Sequence, residues 1–169
     1  LWQDKERYKK AYLEDFSGWY SSADAGYIDE EGYIWVMSRT DDIINCAGHR
    51  LSTGAMEEVL SKHEDIAECA VVGIDDELKG QVPMGFIVIN TGTSKANNII
   101  IDETINSVRN EIGPVASFRK VVIVNRLPKT RSGKILRSTI ASIVDKKPYK
   151  IPATIDDETI LDEIKEAIK

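Results

Sequence analysis

Apolar positions are arranged in one way over the first forty residues of this chain and in another over the rest. An early polar helix is expected over about residues 4–16, followed by the aromatic Gly18-Trp19-Tyr20. Two β-rich runs then appear, Tyr27-Ile28 and Tyr33-Ile34-Trp35-Val36-Met37, separated by Asp29-Glu30-Glu31-Gly32. Such runs on either side of a polar tetrapeptide predict a hairpin, because the glycine supplies the positive φ of a tight loop. Asp41-Asp42 is a polar break before the apolar Ile43-Ile44, and a boundary is placed there, dividing the chain into 1–40 and 41–169.

From Ile43 onward β and α signals interleave. The pattern predicts a strand over 43–46, a turn at Gly48-His49, and a helix over about 53–62 capped by Ser52 or Thr53. Strands are expected at 68–74 and 84–89, joined by a loop over 75–81, and a polar loop over 90–98 leads to a helix at 102–112. Gly113-Pro114 stops that helix, since glycine takes the left-handed position after the cap and proline cannot continue the ladder. A strand over 120–124, a basic loop over 127–134 and a helix over 136–144 follow. A tail helix at 157–168 carries Ile160, Ile164 and Ile168 at helical spacing, which suggests docking on a partner surface. Two short sheets with interleaved helices make the fold class α+β.

Composition narrows the classes. The 169 residues hold 22 basic and 28 acidic side chains, a net charge of −6, which argues against a general nucleic-acid surface. The longest apolar runs, such as Cys69-Ala70-Val71-Val72, fall far short of the roughly 20 residues that cross a bilayer, so neither nucleic acid nor membrane is an expected partner. The start, Leu1-Trp2-Gln3-Asp4-Lys5-Glu6-Arg7, lacks an initiator Met and an apolar segment, which reads as an internal start and not as a signal peptide. Cys46 and Cys69 have neither CxxC spacing nor nearby histidines, so they read as reduced core thiols of a cytoplasmic or mitochondrial-matrix protein that is not secreted.

Positive charge concentrates between Arg119 and Lys150, and the strongest local signal lies inside it: Leu127-Pro128-Lys129-Thr130-Arg131-Ser132-Gly133-Lys134. Small hydroxyls, a glycine and three cations suit a phosphate or a carboxylate. It is not a P-loop, which needs glycine where Pro128 stands and Ser or Thr where Ile135 stands. By composition alone the loop stays open between an anion site and an exposed basic loop.

Three separated segments together resemble the adenylate-forming acyl-CoA synthetases: YSSADAGYIDEEGY, SRTDDIINCAGHRLSTGAMEE and LPKTRSGKILR. The similarity runs from the first helix to about Tyr149 and implies the tail end of a large N-terminal domain (1–40) followed by the small, mobile C-terminal domain (41–169). It implies an ATP-dependent ligase that joins a short carboxylate to coenzyme A through an acyl-adenylate and releases AMP and pyrophosphate, with Mg2+ accompanying ATP. Residue by residue, the resemblance makes Lys134 the catalytic lysine of adenylation. Asp24 becomes the acceptor for the ATP ribose hydroxyls, Arg39 and Arg50 nucleotide contacts, and Asp41 the hinge. Ala47-Gly48 becomes the turn beside the pantetheine of CoA, and Arg109 a contact to the CoA nucleotide, which read without the resemblance is a helix surface charge. Ser61, His63 and Ile66 match a loop that holds magnesium through main-chain oxygens and a histidine in the acetate-type enzymes, although imidazole is a poor magnesium ligand. His49 reads as a turn residue. Lys134 is also the expected target of a lysine acetyltransferase and deacetylase.

Two departures from the common pattern, Ser22-Ala23-Asp24 for Thr-Gly-Asp and Ser38 for the glycine before Arg39, both keep the charged residue. Together with Pro114-Val115-Ala116-Ser117-Phe118-Arg119 and Lys147-Pro148-Tyr149-Lys150, they resemble propionyl-CoA synthetases more than acetate enzymes, so propionate is favoured and acetate is next. These residues alone are expected to be inactive, with their own N-terminal domain as the missing partner. A non-catalytic nucleotide- or CoA-binding module, or a pseudoenzyme remnant, is the competing class, and a Ser/Thr/Gly-rich phosphate loop upstream would discriminate the two.

Overall fold

The computed structural model describes residues 2–169, with the backbone alone at Met37 and Asp41. The chain separates into two compact units, one ending at Asp41 and the other spanning Asp42–Lys169.

In the first unit, α1 (Lys5–Tyr12) begins at Asp4, whose carboxylate accepts from the Arg7 N–H at 3.0 Å. It stops four residues before the expected end. The Tyr12 carbonyl accepts from the Ser21 N–H at 2.8 Å, and the rings of Tyr12 and Tyr20 stack with centroids 4.9 Å apart, so the chain has already turned back. Strands β1 (Asp24–Ile28) and β2 (Ile34–Arg39) pair antiparallel. Asp29 closes their loop by accepting from the N–H groups of Glu31 and Tyr33 and from the indole of Trp35, and the indole contact is the main reason its carboxyl lies below the usual carboxylate range. Within this unit no described residue is buried.

The second unit is built on a five-stranded sheet. Its strands are β3 (Ile43–Cys46), β4 (His49–Ser52), β5 (Ile66–Asp76), β6 (Gly80–Ile89) and β7 (Lys120–Ile123). Central β6 pairs antiparallel with β5 along one edge; its other edge meets β3 at Gly80 and runs parallel to β7 from Met84 to Ile87. The alternation of a strand sends neighbouring side chains to opposite faces. Val71 and Ile87 accordingly join one core with Met56, Val59 and Leu60 of α2 (Thr53–Ser61) and Ile100 and Val108 of α3 (Asn97–Glu111). Val72, Ile74 and Phe86 join another with Ile140 and Ile143 of α4 (Arg137–Val144) and Ile160, Leu161 and Ile164 of α5 (Ile160–Ala167). The result is a sheet between two helical layers, an α+β domain.

Several expected elements are corrected. The sheet is not short: β5 and β6 run 11 and 10 residues, because the hairpin register continues out to Asp76 opposite Gly80 and only residues 77–79 turn. No strand is expected between the Gly48-His49 turn and the helix at 53, yet His49–Ser52 is a strand that pairs residue for residue with β3. Helix α3 starts five residues early, at Asn97, because Ile100 is fully buried and draws the first turn onto the core. A 3-10 turn, Pro114–Ala116, follows Gly113. Helix α5 does not present its isoleucines to a partner. Ile160 and Ile164 are buried in the chain's own second core and Ile168 packs at its margin, each buried aliphatic side chain contributing roughly 1.5–3 kcal/mol.

Candidate functional site

Lys134 stands at the end of a loop that ties itself into one shape. The Thr130 N–H donates to the Lys134 carbonyl at 2.8 Å, the Gly133 N–H to the Thr130 carbonyl at 2.8 Å, and the Lys134 N–H to Thr130 Oγ1 at 3.1 Å. Gly133 sits at φ +81°, where a side chain would be strained. Lys129 and Ile135 face each other across an antiparallel bridge, which brings the two ends of the loop together. Both flanking cations are tied down. Lys129 Nζ lies 2.6 Å from Glu68 Oε1, and Arg137, the first residue of α4, makes a two-pronged contact with Glu57 at 2.9 and 2.7 Å. Glu57 Oε1 also accepts from the Val71 N–H of β5 at 2.8 Å, so one half-buried carboxylate joins α2, β5 and α4. That contact raises the guanidinium of Arg137 above its ordinary value against the opposing effect of burial. Lys134 itself is exposed and has no ion-pair partner among the described residues. An unpaired ammonium on a fixed frame is free to engage an anion brought to it.

The Ala47-Gly48 turn belongs to the other layer. Ala47 at φ 49° and Gly48 at φ 85° form a two-residue hairpin turn with both central residues in the left-handed region, the geometry that suits the twist of two strands. No atom lies within 4 Å of where a Gly48 Cβ would be, so the turn presents bare backbone. It is held from behind. The Ala47 N–H donates to the Lys79 carbonyl at 2.8 Å, Cys46 is buried beside the Val115 carbonyl, and the Lys79 ammonium bonds the Ser117 hydroxyl. The 3-10 turn packs against both α3 and β4 and so links this hairpin to the helix that carries Arg109, exposed in its last turn. Arg50 is exposed on β4 opposite Asn45, and His49 is exposed opposite Cys46.

In the first unit, Asp24 and Arg39 are cross-strand partners with side chains 4.0 Å apart. Arg39 also reaches the Ser22 carbonyl at 3.4 Å, and the Ala23 carbonyl accepts from the Thr40 N–H and hydroxyl. The register thus brings together two of the three residues expected at the nucleotide. Asp41 lies in a 3-10 turn, Thr40–Asp42, and its side chain is outside the described residues.

The loop after α2 holds a charge cluster. His63 Nδ1 accepts from the Asp65 N–H at 3.2 Å, so Nε2 carries the hydrogen and donates to Glu103 Oε2 at 3.0 Å. His63, Asp65 and Glu103 place one ligand atom each within 4.8 Å of one another. The Lys95 ammonium stands among them, 2.9 Å from both Asp65 Oδ2 and Glu103 Oε2, and holds both carboxyls below the ordinary range. The Ser61 hydroxyl donates to the Glu58 carbonyl, and the Ile66 N–H to the His63 carbonyl. Neither imidazole nitrogen is open to a metal, and an ammonium fills the cation position. These side chains do not fit a magnesium site.

Both thiols are free. Cys46 is buried, and burial pushes the half-buried Cys69 up to about 11, with Glu57 adding to it, so Cys69 is not a nucleophile near neutral pH. The braces Glu57, Glu68 and Arg137 were not visible in the sequence, since each partner lies 61 to 80 residues from its mate and carries no local signature. Among the described residues no helix is long and apolar enough to cross a membrane.

Comparison with known proteins places this geometry. Residues 55–134 match the family described as AMP-binding enzyme C-terminal domain. The whole chain is 50% identical to the mouse protein named acyl-CoA synthetase short-chain family member 3, mitochondrial, of which it covers 25%. It is 41% identical over 99% of its length to the acetyl-coenzyme A synthetase of Pyrobaculum aerophilum, again covering 25% of that protein. The chain therefore spans about a quarter of the length of the curated relatives it matches. Among solved structures, the amide bond synthetase McbA from Marinactinospora thermotolerans superposes with a TM-score of 0.68 at 27% identity, over 84% of this chain and 27% of that one.

Proposed function

We propose, from the match of residues 55–134 to the AMP-binding enzyme C-terminal domain, that the whole protein is an AMP-forming acid–thiol ligase that converts a short carboxylate, propionate before acetate, to its CoA thioester. In the first step a carboxylate oxygen attacks the α-phosphorus of Mg-ATP, the bond to the β-phosphate oxygen breaks, and pyrophosphate leaves. Lys134 bridges the carboxylate and the α-phosphate, holding them in line and neutralising charge that grows in the transition state. In the second step the CoA sulfur attacks the acyl carbon, the thiol proton goes to solvent, and AMP leaves. Asp24, Arg39 and Arg50 serve the nucleotide. Ala47 and Gly48 line the path of the pantetheine and Arg109 meets the CoA nucleotide.

The observation that carries this reading is the placement of the two sets of residues. Lys134 is mounted on the layer of α4 and α5, whereas the Ala47-Gly48 turn and Arg109 are mounted on the layer of α2 and α3. A domain built in this way can present one set at a time by turning about the chain at Asp41. The unburied strand pair of the first unit supports its being the end of a larger domain, since an apolar face such as that of the paired, stacked Tyr27 and Trp35 is normally covered. The preference for propionate rests on the segments around Asp24, Ser38, Pro114 and Pro148 alone. A panel of short carboxylates offered to the full-length protein with ATP and CoA, scored by AMP release, tests the function. The expected order is propionate, acetate, then longer acids, and no release with any of them overturns the short-chain assignment.

A further inference from the structure

The Lys134 loop has an outer edge, and the tail of the chain occupies it. Thr130 forms an antiparallel bridge with Ile155, the Arg131 N–H donates to the Thr154 carbonyl at 2.9 Å, and the Asp156 N–H donates to the Lys129 carbonyl at 2.9 Å. On the inner side Lys129 bridges Ile135, and the Leu136 N–H donates to the Pro128 carbonyl at 2.9 Å. Residues 129–131 are thus the middle of a three-stranded patch, with Lys134 at the turn of its inner hairpin. The outer segment is firmly mounted. Ile155 is buried in the second core, and the three buried aliphatic residues of α5 follow within nine residues. Arg126, just ahead of the loop, reaches across to Asp157 Oδ2 at 2.6 Å, Thr159 Oγ1 at 3.0 Å and Glu163 Oε1 at 2.6 Å. That single guanidinium joins the start of the loop to the segment that covers its outer edge.

We propose that residues 154–156, fastened by Arg126, are a positioning element for Lys134: they complete the backbone pairing of its loop and hold the ammonium in one place for the adenylation step. An unpaired edge leaves two backbone bonds to water and lets the register of a short hairpin slip. A lysine stem is flexible, so its reach is set by the loop that carries it. The proposal rests on the reading of Lys134 as the adenylation lysine and adds residues that touch no reacting atom.

The test uses Arg126→Gln, which removes the charge fork at an exposed position, and Asp156→Pro, which removes the N–H that pairs with Lys129 together with the Asp156 side chain. In the 169-residue chain, amide exchange at Arg131, Gly133 and Lys134 is expected to speed up while the amides of β5 and β6 keep their protection. In full-length enzyme, adenylation measured by pyrophosphate exchange is expected to fall by up to about 10²-fold, the scale of a misplacement of roughly 1 Å. Thioester formation from supplied acyl-adenylate and CoA should stay near wild type, and Arg126→Lys should recover part of the loss. A merely structural role would lower both half-reactions together and expose β5 and β6. Unchanged exchange in the loop with full adenylation in Arg126→Gln overturns the proposal. Full adenylation in Lys134→Ala would instead overturn the reading beneath it, and because the exchange measurement needs no ligase activity the two failures are distinct.

Discussion

The Lys134 loop and the Ala47-Gly48 turn lie in the same small domain and are secured by opposite means. The first is braced by side chains: Glu57 with Arg137, Glu68 with Lys129, and Arg126 with Asp157, Thr159 and Glu163. The second is a bare two-residue turn that carries no ion pair of its own among the described residues: its shape comes from backbone conformation, with a backbone tether from Ala47 to Lys79 and the Lys79–Ser117 and Cys46–Val115 contacts behind it. The difference matches what each would handle. A catalytic cation must arrive in one position, because its effect falls off with distance, and a frame of ion pairs keeps it there. A narrow thiol chain needs room and backbone, and side chains would obstruct it.

That contrast can be broken at several strengths. Phe86, fully buried in the core beneath α4 and α5, should cost about 3–5 kcal/mol when changed to Ala, read as a drop in thermal midpoint. Amide exchange then shows whether the two layers unfold together; loss of protection confined to α4 and α5 would make them separate cooperative units. Arg137→Leu should cost about 1–3 kcal/mol, because Glu57 keeps its charge at only 16% side-chain exposure. Glu57→Gln in the same chain should recover part of that loss, and adenylation should suffer more than thioester formation. Arg109→Ala should raise the KM for CoA about tenfold, some 1.4 kcal/mol, with little change for ATP. An unchanged CoA KM returns Arg109 to an ordinary surface charge.

The smallest effect is pH-dependent. Hydrogen bonds from the Thr159 hydroxyl and N–H, and then from Arg126, hold Asp157 below its ordinary value. A lowered carboxyl contributes stability that is complete above the ordinary value of about 4 and is lost as pH falls through the folded value. The melting temperature should therefore slope downward with acid below about pH 4, and Asp157→Asn should flatten that slope while lowering the melting temperature at pH 7, where the ionised carboxylate contributes in full.

Much of this organisation was legible in the residues. The glycine turn at 48, the stop at Gly113-Pro114 and the basic loop before Lys134 are local signals, and the structure has a turn, a helix end or an element boundary at each. What escaped depends on distant partners. His49 reads as a turn residue, and Arg50-Leu51 is too short to read as a strand, until β3 supplies the ladder. Asp75, Gly80 and Pro83 are poor strand formers, yet hairpin register places them in β5 and β6. The isoleucines of α5 announced an apolar face correctly, but periodicity does not say whose surface it meets. At the loop after α2, Lys95 sits 32 residues from His63 in sequence, and nothing local indicates that its ammonium occupies the centre of that cluster.

The central claim, that Lys134 serves one half-reaction only, is tested most directly by following both half-reactions in full-length Lys134→Ala. Acyl-adenylate formation from propionate and ATP should drop by more than the roughly 10²–10³ typical of losing one oxyanion donor, because positioning and charge are lost together. Propionyl-CoA formation from supplied propionyl-adenylate and CoA should proceed near the wild-type rate. Equal loss of both steps would mean that Lys134 supports the fold or a shared binding site, contradicting the assignment of the two layers to separate steps.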